Sequence, residues 1–229
     1  MAMAEGADKV IQFNRADTAT PNLRVVDVNR EEPLSSWSDE ALMLEHGHGV
    51  EAAYEELVLR HQRGVLNYIY RMVNNRQIAE ELTQEVFLAL VKNAQRYQPT
   101  AKFTTYLYAI ASNVVSKEWA RQKRRPRFFS LNRWFGDTEE EFNPMEHVGD
   151  AKVDVLAEFQ RGEISEAINA ALKYLPEHQR EAFVLRRFQD VPYDEIARIL
   201  DVPVGTVKSR VVRAERALRP YLEKFREYV

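Results

Sequence analysis

The 229-residue sequence contains no cysteine. That excludes a disulfide framework, a thiolate zinc site and direct thiol sensing, and it suits a reducing cytoplasm. Glycine is scarce, at eight residues, and runs of alternating β-branched residues are nearly missing, which argues against a sheet-rich fold. No apolar stretch approaches the roughly 18 residues that a membrane helix needs, so no membrane insertion is expected. The amino-terminal stretch lacks the charged-then-apolar pattern of a secretion signal, because Glu5, Asp8 and Asn14 interrupt it. A cytoplasmic protein is expected.

A large net charge is also lacking, since the formal value is −3. The average hides a pattern. From Thr104 to Arg125 five Lys/Arg stand against one Glu, and from Val204 to Arg226 seven stand against two acids. Between them, Asp137 to Glu166 carries ten acids and two bases. Two basic blocks flank an acidic one, a distribution suited to touching a polyanion at two places.

What the sequence does have is helical periodicity. Residues 1–36 are polar and unpatterned, and read as a flexible extension. Ser38 is a good N-cap, with Asp39 and Glu40 in the first turn behind it, and Gly47 and Gly49 end that helix. A second helix runs from about Val50 to Val73, with Leu57, Leu66, Ile69, Tyr70 and Val73 as its apolar face. Asn74 and Asn75 make a turn. A third helix, Gln77 to about Arg96, offers Ile78, Leu82, Val86, Phe87 and Leu90. A fourth, Thr104 to about Lys123, offers Leu107, Ile110, Ala111, Val114 and Val115 before Pro126 stops it. Helical signals resume near Val155 and run to Leu175, then from Pro176 to Phe188, Tyr193 to Leu200, and Val204 to Phe225. The expected fold is all-α. A first helical domain spans 37–125, an acidic linker 126–153, and a second domain 154–229 that ends in a helix-turn-helix.

That last unit carries the sharpest signal. Ile196, Ala197 and Leu200 form the inner face of a short helix, and Asp201 to Pro203 is a turn of suitable length. In the next helix Val207, Val211, Ala214 and Leu218 make a buried stripe. Lys208, Ser209, Val212 and Arg213 lie opposite, with Thr206 and Arg210 completing the candidate set. A basic helix alone is commonly a solvated face. Here one side is apolar and the other basic, and small Ala197 permits a close helix crossing, so the polar side is read as entering a major groove.

Catalysis has no comparable support. No Glu or Asp completes a helical metal pattern around His46, His48 and His61, and no glycine-rich phosphate loop or activated nucleophile stands out. Neither a catalytic residue nor a metal or other cofactor is expected.

Four strings then point to one family. They are Glu80-Glu-Leu-Thr-Gln-Glu-Val-Phe-Leu-Ala-Leu-Val, Phe103-Thr-Thr-Tyr-Leu-Tyr-Ala-Ile-Ala-Ser-Asn, Leu175-Pro-Glu-His-Gln-Arg-Glu-Ala-Phe and Pro203-Val-Gly-Thr-Val-Lys-Ser-Arg. In this order, from about Ser38 to Leu222, the chain resembles a bacterial RNA polymerase sigma factor of the extracytoplasmic-function type. The resemblance implies that Glu81, Gln84, Glu85, Leu88 and Lys92 dock on the clamp coiled coil of the polymerase largest subunit. It implies that Asn113 and the loop around Tyr97 and Lys102 capture an unstacked −10 base, with Tyr106 where the family usually has Trp. Lys117, Arg121, Lys123 and Arg124, together with Arg125, would hold phosphates. Phe103 and Trp119 are equally readable as core or as DNA contacts.

The second domain would read the −35 element. The linker's charge would let it lie in a basic nucleic-acid channel of polymerase. Phe128, Phe129, Trp134 and Phe135 are too apolar for a bare tether, and would pack on one of the domains or on an inhibitory partner. The implied partners are core RNA polymerase, promoter DNA and an anti-sigma factor. The competing expectation is a helix-turn-helix regulator acting without core polymerase. Such a protein needs a dimerising or sensing domain, and the first domain has neither βα alternation nor a heptad seam.

Overall fold

Ser38 caps the first helix as its residue type dictates: its hydroxyl accepts from the Ala41 N–H at 3.2 Å. The structure, a computed structural model, describes residues 33–124 and 167–223. The elements are α1 (Asp39–Gly47), α2 (Glu51–Val73), α3 (Arg76–Asn93) and α4 (Phe103–Arg124) in the first domain. A helical segment at 167–172 leads into α5 (Glu177–Arg187), α6 (Tyr193–Leu200) and α7 (Val204–Leu222) in the second. There is no strand among the described residues, and the fold is all-α. None of the described helices is long and apolar enough to cross a membrane. The acidic linker, its aromatic cluster at 128–135, Arg125, residues 1–32 and the expected helix start near Val155 lie outside the described residues.

Local chemistry sets the joints. A β-carbon on Gly47 would sit 2.8 Å from the Ala94 carbonyl oxygen, so only glycine lets α1 end against the 3-10 turn Ala94–Arg96 that follows α3. Gly49 reverses the chain at φ +97°. Asn74 ends α2 in the left-handed region at φ 50°, and the Asn75 side chain caps α3 by accepting from the Ile78 N–H at 2.9 Å.

The extension expected to end at Ser36 is held at its last residues. Leu34–Ser36 forms a 3-10 turn. Arg60 on α2 donates to the carbonyls of Leu34, Ser35 and Trp37 and to Asp39. His61 meets the same carboxylate at 2.7 Å. Burial alone would raise the Asp39 pKa; the hydrogen bond and charge of His61, then those of Arg60, outweigh it and hold the carboxyl below its ordinary value.

Helix α4 is the centre of the molecule, with twelve of its 22 residues buried because α2, α3 and α6 all pack on it. Phe103 and Trp119 belong to this core. The apolar face of α2 is wider than its periodicity suggests: Ala53, Leu57, Val65, Tyr68, Ile69 and Met72 are buried, whereas Leu66, Tyr70 and Val73 are only partly so. The reason is that α2 is wrapped by α1, α3 and α4 and also by α5 of the second domain. The two domains touch through α4 against α6 and α2 against α5.

Candidate functional site

In the helix-turn-helix, α6 ends at Asp201, which takes φ 50° and donates its N–H to the Ala197 carbonyl. Pro203 then starts α7. Val207, Val211, Ala214 and Leu218 are buried, as their spacing requires. Lys208 and Arg213 are exposed on the other side, flanking Val212 at 52%. Thr206, Ser209 and Arg210 are half-buried. The Ser209 hydroxyl donates to the Thr206 carbonyl at 2.9 Å. The Arg210 charge acts inward on Glu181. The exposed side of α7 therefore centres on Lys208, Val212 and Arg213.

On α3 the residues Glu81, Gln84, Glu85, Leu88 and Lys92 share one exposed side. Leu88 is 56% exposed and Val91, one turn on, is 43% exposed. An apolar spot set among acids, an amide and a lysine suits a protein partner better than DNA, whose phosphates the acids would repel.

The α4 residues divide into two groups. Ten residues of helix, about 15 Å of rise, separate Phe103 from Asn113. Asn113, Lys117 and Arg121 recur every four residues along one exposed stripe that Lys123 and Arg124 extend. At the other end Tyr97 is only 8% exposed, its ring packed 5.1 Å from that of Tyr106 and 6.4 Å from that of Phe103. Tyr97 therefore backs the half-buried Tyr106 from beneath. Burial pushes the Tyr97 phenol up, with the Glu40 charge adding to the shift. The Lys102 ammonium is exposed but paired with Glu195 at 2.8 Å.

Two family models match the chain: sigma-70 region 2 over residues 57–125 and sigma-70 region 4 over residues 165–218. The first holds the α3 face and α4; the second holds the helix-turn-helix. The chain belongs to the sigma-70 family. Its relatives place it in the extracytoplasmic-function type. It is 29% identical over 195 residues to the RNA polymerase sigma-H factor of Pseudomonas aeruginosa, covering 83% of this chain and 99% of that protein. It is 29% identical over 181 residues to the ECF RNA polymerase sigma-E factor of Escherichia coli, covering 79% and 92%. Among solved structures, CnrH in complex with the cytosolic domain of CnrY aligns with a TM-score of 0.56 at 19% identity, over 81% of this chain and 97% of that one. The sigma factor RpoE in complex with the anti-sigma factor NepR, from Bartonella quintana, aligns with a TM-score of 0.50 at 20% identity, over 74% and 96%. These two show a shared all-α fold.

In this sigma factor the sequence reading missed Glu181 and Glu195, carboxylates that are 7% and 8% exposed. Glu195 sits in the first turn of α6, where an acid normally serves the helix dipole in water. Glu181 lies mid-helix among charged residues. Nothing in either pattern distinguishes a buried acid from a solvated one.

Proposed function

We propose that this sigma factor binds core RNA polymerase through the α3 face and directs initiation by engaging promoter DNA at two places. Glu81, Gln84 and Glu85 offer charge-assisted and polar contacts to the clamp coiled coil, Lys92 a cationic one, and Leu88 with Val91 the apolar centre. The stripe Lys117, Arg121, Lys123 and Arg124 follows the −10 backbone, with Asn113, Lys102 and Tyr106, backed by Tyr97, capturing the unstacked −10 base at the melting edge. Lys208, Val212 and Arg213, flanked by Thr206, Ser209 and Arg210, enter the major groove at −35. The domain limits 37–125 and 154–229 follow the same division. Polymerase performs the chemistry and the sigma factor none, in the cytoplasm where polymerase works. CnrH and RpoE were solved with CnrY and with the anti-sigma factor NepR; we infer a comparable inhibitory partner here.

The observation that carries this reading is the coexistence, on one chain, of an acidic-apolar face on α3 and cationic faces on α4 and α7, all exposed. A regulator acting alone has no use for the first. Core-polymerase pull-down followed by run-off transcription tests it. Promoter-specific transcripts that need both core and this chain are expected; tight, specific operator binding by the chain alone would overturn the reading.

A further inference from the structure

Helix α4 begins without a cap of its own. The carbonyl of Lys102 takes the first bond of the helix, from the Tyr106 N–H at 3.2 Å, so Lys102 stands at the N-cap position. A side chain there normally accepts hydrogen bonds from the unpaired amides of the first turn. A lysine ammonium only donates, and its charge opposes the positive end of the helix dipole. This one is engaged by Glu195 at 2.8 Å. The first turn of α4 contains no acid either. Measured against Ser38 before α1 and Asn75 before α3, position 102 carries the wrong residue for a helix start.

The missing acceptor comes from another helix. Glu40, in the first turn of α1, accepts from the Phe103 backbone N–H at 2.7 Å, although the two residues are 63 apart in sequence. Its charge stands at the end of α4 that the dipole makes favourable for an anion. Glu40 is itself well held. Ser38 caps the turn that carries it, and the neighbouring Asp39 meets Arg60 at 2.8 Å and His61 at 2.7 Å. Arg60 draws the carbonyls of Leu34, Ser35 and Trp37 onto the same place. The His61 ring lies 5.3 Å from the Phe103 ring, so α2 touches both the platform and the residue that it caps.

The loop 97–102 depends on this arrangement. At its start the Tyr97 N–H donates to the Ala94 carbonyl at 3.1 Å, and the buried Tyr97 ring lies against Tyr106. Within it one turn bond, from the Thr100 N–H to the Gln98 carbonyl at 2.8 Å, closes on the loop itself. Gln98, Thr100 and Lys102 are exposed. The far end is therefore placed by the first turn of α4, and that turn by Glu40. The Glu40 charge also acts on the Tyr97 phenol, so one carboxylate lies within electrostatic reach of both ends. Moving the cap to α1 leaves position 102 open to a cation, which a nucleic-acid backbone beside the loop requires.

We propose that Glu40 is a positioning residue for promoter melting: it caps α4 from α1 in place of Lys102, and so fixes the loop 97–102 in the form that selects the −10 base. The second half of this statement rests on the proposed function of that loop.

Two readouts separate the cap from the function it serves. Amide hydrogen exchange on the full chain, followed over peptides spanning 97–107, needs no polymerase. Glu40→Ala should speed exchange of the Phe103 amide and its first-turn neighbours about fivefold or more, with the rest of α4 unchanged. Glu40→Gln, which keeps an acceptor oxygen in place, should stay within about twofold of the parent. Glu40→Asp keeps the charge and withdraws the oxygens by one methylene; it should act like alanine, and serves if the alanine variant loses helicity. The second readout is initiation by core polymerase with the full chain on promoters bearing each base at the captured −10 position. Glu40→Ala should lower the preference for the best base about threefold or more at unchanged core affinity, and Glu40→Gln should restore it. A variant that is only less folded would lose initiation on every template alike and keep that preference. Unchanged exchange in both Glu40→Ala and Glu40→Asp would overturn the cap. Faster exchange with an unchanged base preference would overturn the positioning role. A parent that directs no initiation at all would sink the sigma-factor reading and the positioning role with it, while the exchange result would still decide the cap.

Discussion

Replacing Leu88 with alanine isolates the apolar part of the α3 face proposed to meet polymerase. The side chain is 56% exposed and surrounded by Glu81, Gln84, Glu85 and Lys92, so it contributes little to the fold. Burying a whole leucine is worth about 1.5–3 kcal/mol. The exposed fraction leaves roughly 1–1.5 kcal/mol to be gained when a partner covers it, and alanine keeps part of that. The expected loss is about 1 kcal/mol, close to fivefold in Kd at 25 °C. Thermal unfolding should not move, since surface changes of this kind stay within about 0.5 kcal/mol and alanine is at least as good a helix former as leucine. The assay is competition of the variant against labelled parent for core polymerase, with a melting curve on the same sample. An affinity within about twofold of the parent would refute the assignment of this face. So would a loss that tracks a matching fall in Tm, because the effect would then lie in folding.

Further outcomes follow from other parts of the molecule. Arg213→Ala should weaken −35-dependent transcription by about 1–3 kcal/mol, the worth of one good groove contact, as read by run-off from a promoter with and without that element. Gly47→Ala should cost about 1–3 kcal/mol by chemical denaturation, because the added carbon meets a backbone carbonyl at 2.8 Å that has little room to yield. The contact of α5 with α2 and α4 should tighten as pH falls from neutral. Burial raises the Glu181 pKa above its ordinary 4.5, against the opposing pull of Ser112, Tyr68 and Arg210 and with a small push from Glu177, while Lys123 and His178 line the same groove. The docked arrangement therefore binds the proton more readily than one in which Glu181 is solvated. Its stability grows as pH drops through the raised value and levels off below 4.5. Asp39, lowered from 3.8, titrates below that window. Glu181→Gln should remove this pH dependence, as read by chemical denaturation across the same pH range; an unchanged pH profile in that variant would contradict the role given to this carboxylate.

Much of the fold was legible because short-range chemistry decides it. Ser38, the Asn74–Asn75 pair and Asp201 each sit where a cap or a left-handed turn is required, and α6 runs over the residues its pattern indicates. The inner stripe of α7 was legible for the same reason, and with it the exposed side opposite. What was not legible depends on neighbours distant in the chain. Arg60 reaches back more than twenty residues to hold the chain at 34–37, where polarity alone suggests a free end. The buried face of α2 is broader than one stripe because a second domain covers it. Tyr97 looks like an exposed loop aromatic, yet the turn after α3 folds its ring under Tyr106. Glu181 and Glu195 have the sequence signature of ordinary solvated acids, and only the docking of one domain on the other buries them.

The most direct test of two separately placed promoter-reading surfaces is run-off transcription by core polymerase and the full chain on a randomised promoter library. The selected templates should share two conserved blocks about 25 base pairs apart, with Lys208→Ala and Arg213→Ala relaxing only the upstream block and Lys117→Ala with Arg121→Ala weakening initiation across templates. Enrichment of a single block, bound equally well by the chain without core polymerase, would contradict the account.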